Sequence, residues 1–150
     1  MAGHAVETER LGTRVLIVDD DPPTVRVLRD LINGFRHERA YVVETAPDGA
    51  AALAALERGQ YDLVLLDVYM PEMNGLELLA EMRRRAISTP VLILTGNNDG
   101  RTAGEALASG ILAYVPKPFD FTRLEMLVAL ATSSRPIAAA PLGAPSRERQ

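Results

Sequence analysis

The chain has no cysteine and no tryptophan. Without cysteine there is no disulfide, no thiolate metal site and no thiol nucleophile, which fits a reducing compartment. Aromatic residues make up 5% of the 150 residues against 47% for all hydrophobic types, so the core must be built from Leu, Val, Ile and Ala. No apolar run approaches the roughly 18 residues that a membrane-crossing helix needs. Met1 to Thr13 lacks the basic-then-apolar layout of a secretion signal, so a soluble cytoplasmic protein is expected. An excess of positive charge is missing too. The net charge of −4 argues against sequence-independent nucleic-acid binding by the domain itself. His4 lies in an N-terminal tail and His37 near a helix end, so neither is given a role.

What the chain does contain is a regular alternation of short apolar runs and amphipathic stretches. Residues 1–12 are aperiodic and read as a loose tail. Thr13 to Val18 is a β-branched strand that stops at Asp19-Asp20-Asp21-Pro22-Pro23. Prolines suit the first turn of a helix, where a missing N–H costs nothing. Val25, Leu28, Leu31 and Ile32 then recur at helical spacing and predict a helix from Pro22 to Phe35. Tyr41 to Thr45 reads as the second strand, and Pro47-Asp48-Gly49 turns into a helix over Gly49 to Arg58 with Leu53 and Leu56 inward. The third strand is Leu63 to Asp67. The next helix, Gly75 to Arg84, is expected to bury Leu76, Leu79 and Met82. The run Arg83-Arg84-Arg85 reads as a solvated helix end that favours the helix dipole, not as a nucleic-acid patch.

Val91 to Leu94 forms a fourth strand ending at Thr95-Gly96, and Leu112 to Val115 forms a fifth, closed by Lys117-Pro118-Phe119. Between them, Gly100 to Ser109 predicts the softest helix, because an interior glycine such as Gly104 costs about 1 kcal/mol relative to Ala. A last helix runs from Asp120 to Thr132 with Leu124, Leu127, Val128 and Ala131 on one face. From residue 133 to 150 the composition turns to Pro, Ala and Ser without periodicity, a linker or disordered tail. Five strands alternating with five helices predict a doubly wound (βα)5, flavodoxin-like α/β domain over residues 13–132. Its five-stranded parallel sheet takes the order 2-1-3-4-5, with helices on both faces.

In such a sheet the carboxyl ends of all strands share one edge. Asp19, Asp20 and Asp21 follow the first strand, Asp67 ends the third, Thr95 ends the fourth and Lys117 follows the fifth. Taken singly, the acidic run is as well explained by a solvated helix start, and Lys117 by an ordinary surface lysine. Together they bring carboxylates, a hydroxyl and an ammonium to one cleft. Clustered carboxylates repel, and a divalent cation relieves that repulsion most directly. An all-oxygen donor set selects a hard ion, and Mg²⁺ suits one or two carboxylates plus phosphate oxygens. The site therefore reads as one that handles phosphate, with Asp67 as nucleophile, Lys117 neutralising charge and Thr95 donating to a phosphoryl oxygen.

The motifs Val15-Leu-Ile-Val-Asp19-Asp20-Asp21, Asp62-Leu-Val-Leu-Leu-Asp67-Val-Tyr-Met-Pro71-Glu-Met-Asn-Gly75, Val91-Leu-Ile-Leu-Thr95-Gly96 and Tyr114-Val-Pro-Lys117-Pro118-Phe119 follow one another in this order. Over residues 13–132 the chain resembles the receiver domain of bacterial two-component response regulators. The resemblance implies that Asp67 accepts a phosphoryl group from a sensor histidine kinase or a histidine phosphotransfer protein. It implies Mg²⁺ held by Asp20, Asp67 and the backbone carbonyl of Tyr69, with Asp19 acting mainly through water. It makes Thr95 and Tyr114 the conformational switch and the Lys117–Pro118 bond a candidate cis peptide. Output is expected on the surface formed by the helix at 100–109, the fifth strand and the last helix, through a downstream domain, a protein target or a phosphorylation-dependent homodimer. Gly96 stands where a small residue, usually Ala, follows the switch threonine, and Tyr69 and Asn97 occupy the variable flanking positions.

Two other functions compete with this phosphoacceptor signalling role, which involves no turnover of a separate substrate. One is an Asp-nucleophile, Mg²⁺-dependent phosphatase of the haloacid-dehalogenase type, for which Asp19 and Asp21 have the required spacing. The other is a degenerate receiver that serves only as a binding scaffold. The linker-like tail is expected either to end a single-domain regulator that acts by protein contact or to lead into a further domain.

Overall fold

A computed structural model of the chain describes residues 12–35, 40–68, 70, 73–95 and 111–133, with backbone only at 95 and 133. Five strands, β1 (Thr13–Val18), β2 (Tyr41–Ala46), β3 (Leu63–Leu66), β4 (Val91–Thr95) and β5 (Ala113–Pro116), form one parallel sheet in the order β2-β1-β3-β4-β5. Four helices accompany them among the described residues: α1 (Pro22–Asn33), α2 (Gly49–Arg58), α3 (Gly75–Arg84) and α4 (Phe121–Ser133). The helix expected over 100–109 lies outside the described residues, as do His4, His37, Tyr69, Gly96, Asn97 and the tails at 1–11 and 134–150.

The continuous apolar character of β1, β3 and β4 follows from burial on both faces. Successive side chains point to opposite sides. Leu16, Val18, Val64, Leu66 and Ile93 pack under α2 and α3. Val15, Ile17, Leu63, Leu65, Leu92 and Leu94 pack under α1 and α4. Three helices dock the stripe that their spacing implies: Leu28 and Ile32 in α1, Leu53 and Leu56 in α2, Leu124, Val128 and Ala131 in α4.

α3 departs from expectation. Leu78 is fully buried, together with Leu79 and Met82, whereas Leu76 is only half-buried. The inner stripe starts from Gly75, which is itself buried, and so runs through 75, 78, 79 and 82. Other differences are of one or two residues: α1 stops at Asn33, where Gly34 caps Asp30 and Leu31, and β3 stops at Leu66. The arginine run is solvent-facing, yet Arg85 bonds both Glu81 at 3.1 Å and Glu57 of α2, so it also ties two helices together.

At the edge strand β2, Glu44 gathers two partners. The Arg14 guanidinium donates to it at 2.8 Å, and the Tyr61 hydroxyl donates to its other oxygen. Arg14 also stacks over the Tyr61 ring, 4.6 Å from its centroid. These bonds, that from Tyr61 first, hold the Glu44 carboxyl below its ordinary range, and burial pushes the Tyr61 phenol up. A depressed folded-state pKa stabilises above the unfolded glutamate value, about 4.3, and that contribution is lost as pH falls through the folded value. Wild type should therefore be more stable than Glu44→Gln at pH 7 by about 0.2–1 kcal/mol, as for exposed pairs, and melt correspondingly higher. Melts at pH 3 should bring the two together.

Candidate functional site

The register of the sheet assembles the site. β1 pairs with β3 from Val15↔Leu63 to Val18↔Leu66, so the next residue on each strand, Asp19 and Asp67, emerge side by side. Their backbones are held in place: Asp19 N–H donates to Ala46 O at 3.1 Å, and Asp67 N–H donates to Val18 O at 2.9 Å. Both carboxylates are buried, at 4% and 7% exposure, while Asp20 is exposed. Carboxylate oxygens of Asp19, Asp20 and Asp67 all lie within 4.8 Å of one another. Half-buried Lys117, just past β5, donates from Nζ to Asp19 Oδ2 at 3.3 Å and sits 3.7 Å from Asp67 Oδ2. The Lys117–Pro118 peptide is cis, as the resemblance implies.

This geometry has an electrostatic consequence. Two unit charges about 4 Å apart repel by roughly 4 kcal/mol at the effective dielectric that suits protein sites. Among the described residues, three carboxylates face one ammonium in this cluster, so an excess of negative charge remains there. A hard cation fits what is left. The donors are all oxygen, and their spread is comparable to the roughly 4 Å across the coordination shell of an ion bound at 2.0–2.1 Å, as Mg²⁺ is.

The three consecutive aspartates take three different environments. Asp19 is buried against Lys117, and Asp20 reaches the cluster from the solvent side. Asp21 caps α1: its side chain accepts from Thr24 N–H at 3.2 Å and from the Thr24 hydroxyl. Asp21 N–H in turn donates to Asp19 Oδ1 at 2.9 Å, which fixes that carboxylate. Of the remaining expected site residues, Thr95 is the last residue of β4, at the same edge of the sheet. Tyr114 lies in β5 opposite Ile93, half-buried against the core under α2 and α3. Tyr69 lies outside the described residues.

Two features of the site were not anticipated. A cavity of about 420 Å³ opens beside Asp19 and Asp20 and is lined also by Thr45, Arg26 and Arg29. The i, i+3 spacing of the two arginines on α1 was the signal in the sequence. The second is the tightness of the turn that follows Asp67. Gly75 N–H donates to Val68 O at 2.9 Å, closing the segment that follows Asp67. A Cβ on Gly75 would stand 2.7 Å from Val68 Cα and 3.0 Å from Asp67 O, so only glycine fits. Asn74 then caps α3 in a reciprocal capping box with Glu77.

A family model described as the response regulator receiver domain matches residues 15–129. The transcriptional regulatory protein ZraR of Klebsiella oxytoca is 38% identical over 128 residues, covering 85% of this chain and 28% of that protein. The chain thus spans under a third of the length of that relative. Among solved structures, the receiver domain of Francisella response regulator 1452 superposes with a TM-score of 0.72 at 30% identity, over 81% of this chain and 97% of that one. Response regulator TrrA of Thermotoga maritima, solved in complex with Mg²⁺ and BeF, gives a TM-score of 0.68 at 32% identity, over 79% and 98% of the two chains.

Proposed function

Because the chain belongs to the response regulator receiver domain family, we propose that its input is phosphorylation of Asp67 by a sensor histidine kinase or a histidine phosphotransfer protein. A carboxylate oxygen of Asp67 attacks phosphorus, the P–N bond to the donor imidazole breaks, and the imidazole nitrogen leaves with the electron pair. Lys117, which already spans Asp19 and Asp67, grips the phosphoryl oxygens, and Thr95 donates to one of them. Tyr114 turns inward as Thr95 moves, and the change is read on a surface that includes β5 and α4. The single observation that carries this reading is the convergence at the carboxyl edge of the sheet of the Asp19, Asp20 and Asp67 carboxylates, within 4.8 Å of one another, with Lys117 paired to Asp19 and Asp67.

Asp20, Asp67 and the Tyr69 carbonyl would hold Mg²⁺ directly, with Asp19 acting through water. Bound there, the ion would supply positive charge to offset that of the phosphoryl oxygens. Support comes from the all-carboxylate donor set of this chain and from the Mg²⁺ complex of TrrA. Titration calorimetry should show Mg²⁺ binding to wild type and at least about tenfold weaker binding to Asp20→Asn, as expected when one of few charged ligands goes. Equal affinity in the two proteins would remove Asp20 from the ligand set.

We place the receiver unit at residues 13–132, acting in the cytoplasm as a switch and not as a turnover enzyme. Its output would run through a further domain, a protein target or a homodimer. A phosphatase reading would need Asp21 as acid/base beside Asp19, but that carboxylate is committed to the α1 cap.

A further inference from the structure

We infer that Gly49, at the start of α2, is a positioning residue for phosphoryl uptake: it makes room for Met73, which braces the turn that carries the acceptor. The inference rests on Asp67 being that acceptor. A Cβ built on Gly49 would lie 2.7 Å from Met73 Cγ, 2.7 Å from Met73 O and 2.9 Å from Met73 Cβ. Real atoms do not approach so closely. Because one of the three is a backbone oxygen, a rotamer change alone cannot relieve the contact. The glycine is not demanded by its own backbone, which lies outside the left-handed region. Local propensity would favour alanine in a helical turn. Space, not conformation, requires glycine.

The contact reaches Asp67 in two steps. Met73 is two residues from Gly75, and Gly75 is bonded to Val68 O and packed against Val68 Cα and Asp67 O with no room for a side chain. The turn is thus held between two glycines, one on α2 and one on α3. α2 itself is seated firmly. Ala52, Leu53, Ala55 and Leu56 are buried against the sheet, Asp48 caps its first turn through Ala51 N–H at 2.8 Å, and Glu57 at its far end bonds Arg85, just past the end of α3. An extra methyl at position 49 therefore displaces the turn and not the helix, and the displacement passes to the acceptor.

The test is single-turnover uptake of labelled phosphoryl from acetyl phosphate by the full chain in Mg²⁺. Gly49→Ala should lower the rate constant at saturating donor roughly tenfold, since misplacement by a fraction of an ångström to an ångström has effects of that order. Its amplitude and helix content should be kept, with at most a modest fall in melting temperature from the crowding. Loss of amplitude with an unchanged rate constant would mark a folding defect and overturn the inference. So would a rate constant within about twofold of wild type. If Gly49→Ala fails to fold, Met73→Ala, which removes the brace from the other side, should fold and take up phosphoryl several-fold more slowly; a wild-type rate there overturns the inference. Asp67→Asn run in parallel separates the two readings. Label in that variant sinks the acceptor assignment, whereas a blank Asp67→Asn beside an unaffected Gly49→Ala sinks the positioning role alone.

Discussion

Asp67→Asn is expected to take up no phosphoryl group from acetyl phosphate under conditions that phosphorylate the wild type, a loss of at least about 100-fold, because the covalent step itself has lost its nucleophile. The substitution is nearly isosteric, and the bond from residue 67 N–H to Val18 O at 2.9 Å is made by the backbone and survives. It also removes one of three carboxylates packed within 4.8 Å, while Lys117 keeps its 3.3 Å contact with Asp19. The variant should therefore melt at or above the wild-type temperature. Intact-mass measurement after acetyl phosphate treatment, with a thermal melt on the same samples, checks both statements. Wild-type label in the variant would mean that another residue accepts the phosphoryl group. Label loss accompanied by unfolding would mean that Asp67 holds the fold together and not only the chemistry.

The second large effect is on stability. Leu65 is 1% exposed, at the middle of the central strand. It lies in register with Ile17 on one side and Leu92 on the other, and its side chain enters the core beneath α1 and α4. Leu65→Ala should cost about 2–5 kcal/mol, the transfer free energy of the lost methyls plus the cavity they leave. That is a large share of the roughly 5–15 kcal/mol of a whole domain. Urea unfolding should show a lower midpoint with an unchanged slope, because the surface exposed on unfolding scarcely changes. Met126 provides the contrast: it lies on α4 but is 53% exposed, so Met126→Ala should change stability by no more than about 0.5 kcal/mol. Equal effects at the two positions would contradict the packing described.

Much of this was legible in the chain. The apolar runs at 13–18, 63–66 and 91–95 are strands because β-branched and aliphatic residues form them and turn residues bound them. Gly49–Arg58 and Gly75–Arg84 were bounded correctly because a glycine opens each helix and Gly59 or an arginine run closes it. The strand order followed from handedness and from which strands lack polar alternation. The inner face of α3 was misread because Gly75 has no side chain to count as apolar, yet it sits in the stripe and sets its phase. The joining of α2 to α3 by Arg85 and Glu57 was invisible as well, since residues 28 apart share no local pattern.

By itself the sequence determined the strands and helices of the described residues, the sheet topology and which polar residues stand at one edge, because these depend on periodicity and on strand direction. Only the tertiary structure decided what each of three adjacent aspartates does. Asp19 is buried on Lys117, Asp20 completes the acidic cluster and Asp21 caps α1. The roles separate because consecutive residues leaving a strand point in different directions: Asp19 meets Lys117 from the far end of the domain, Asp20 meets Asp67 from the neighbouring strand, and Asp21 turns back to Thr24 in the next helix. The space that Met73 takes at Gly49 is of the same kind: a contact between segments that no local propensity encodes.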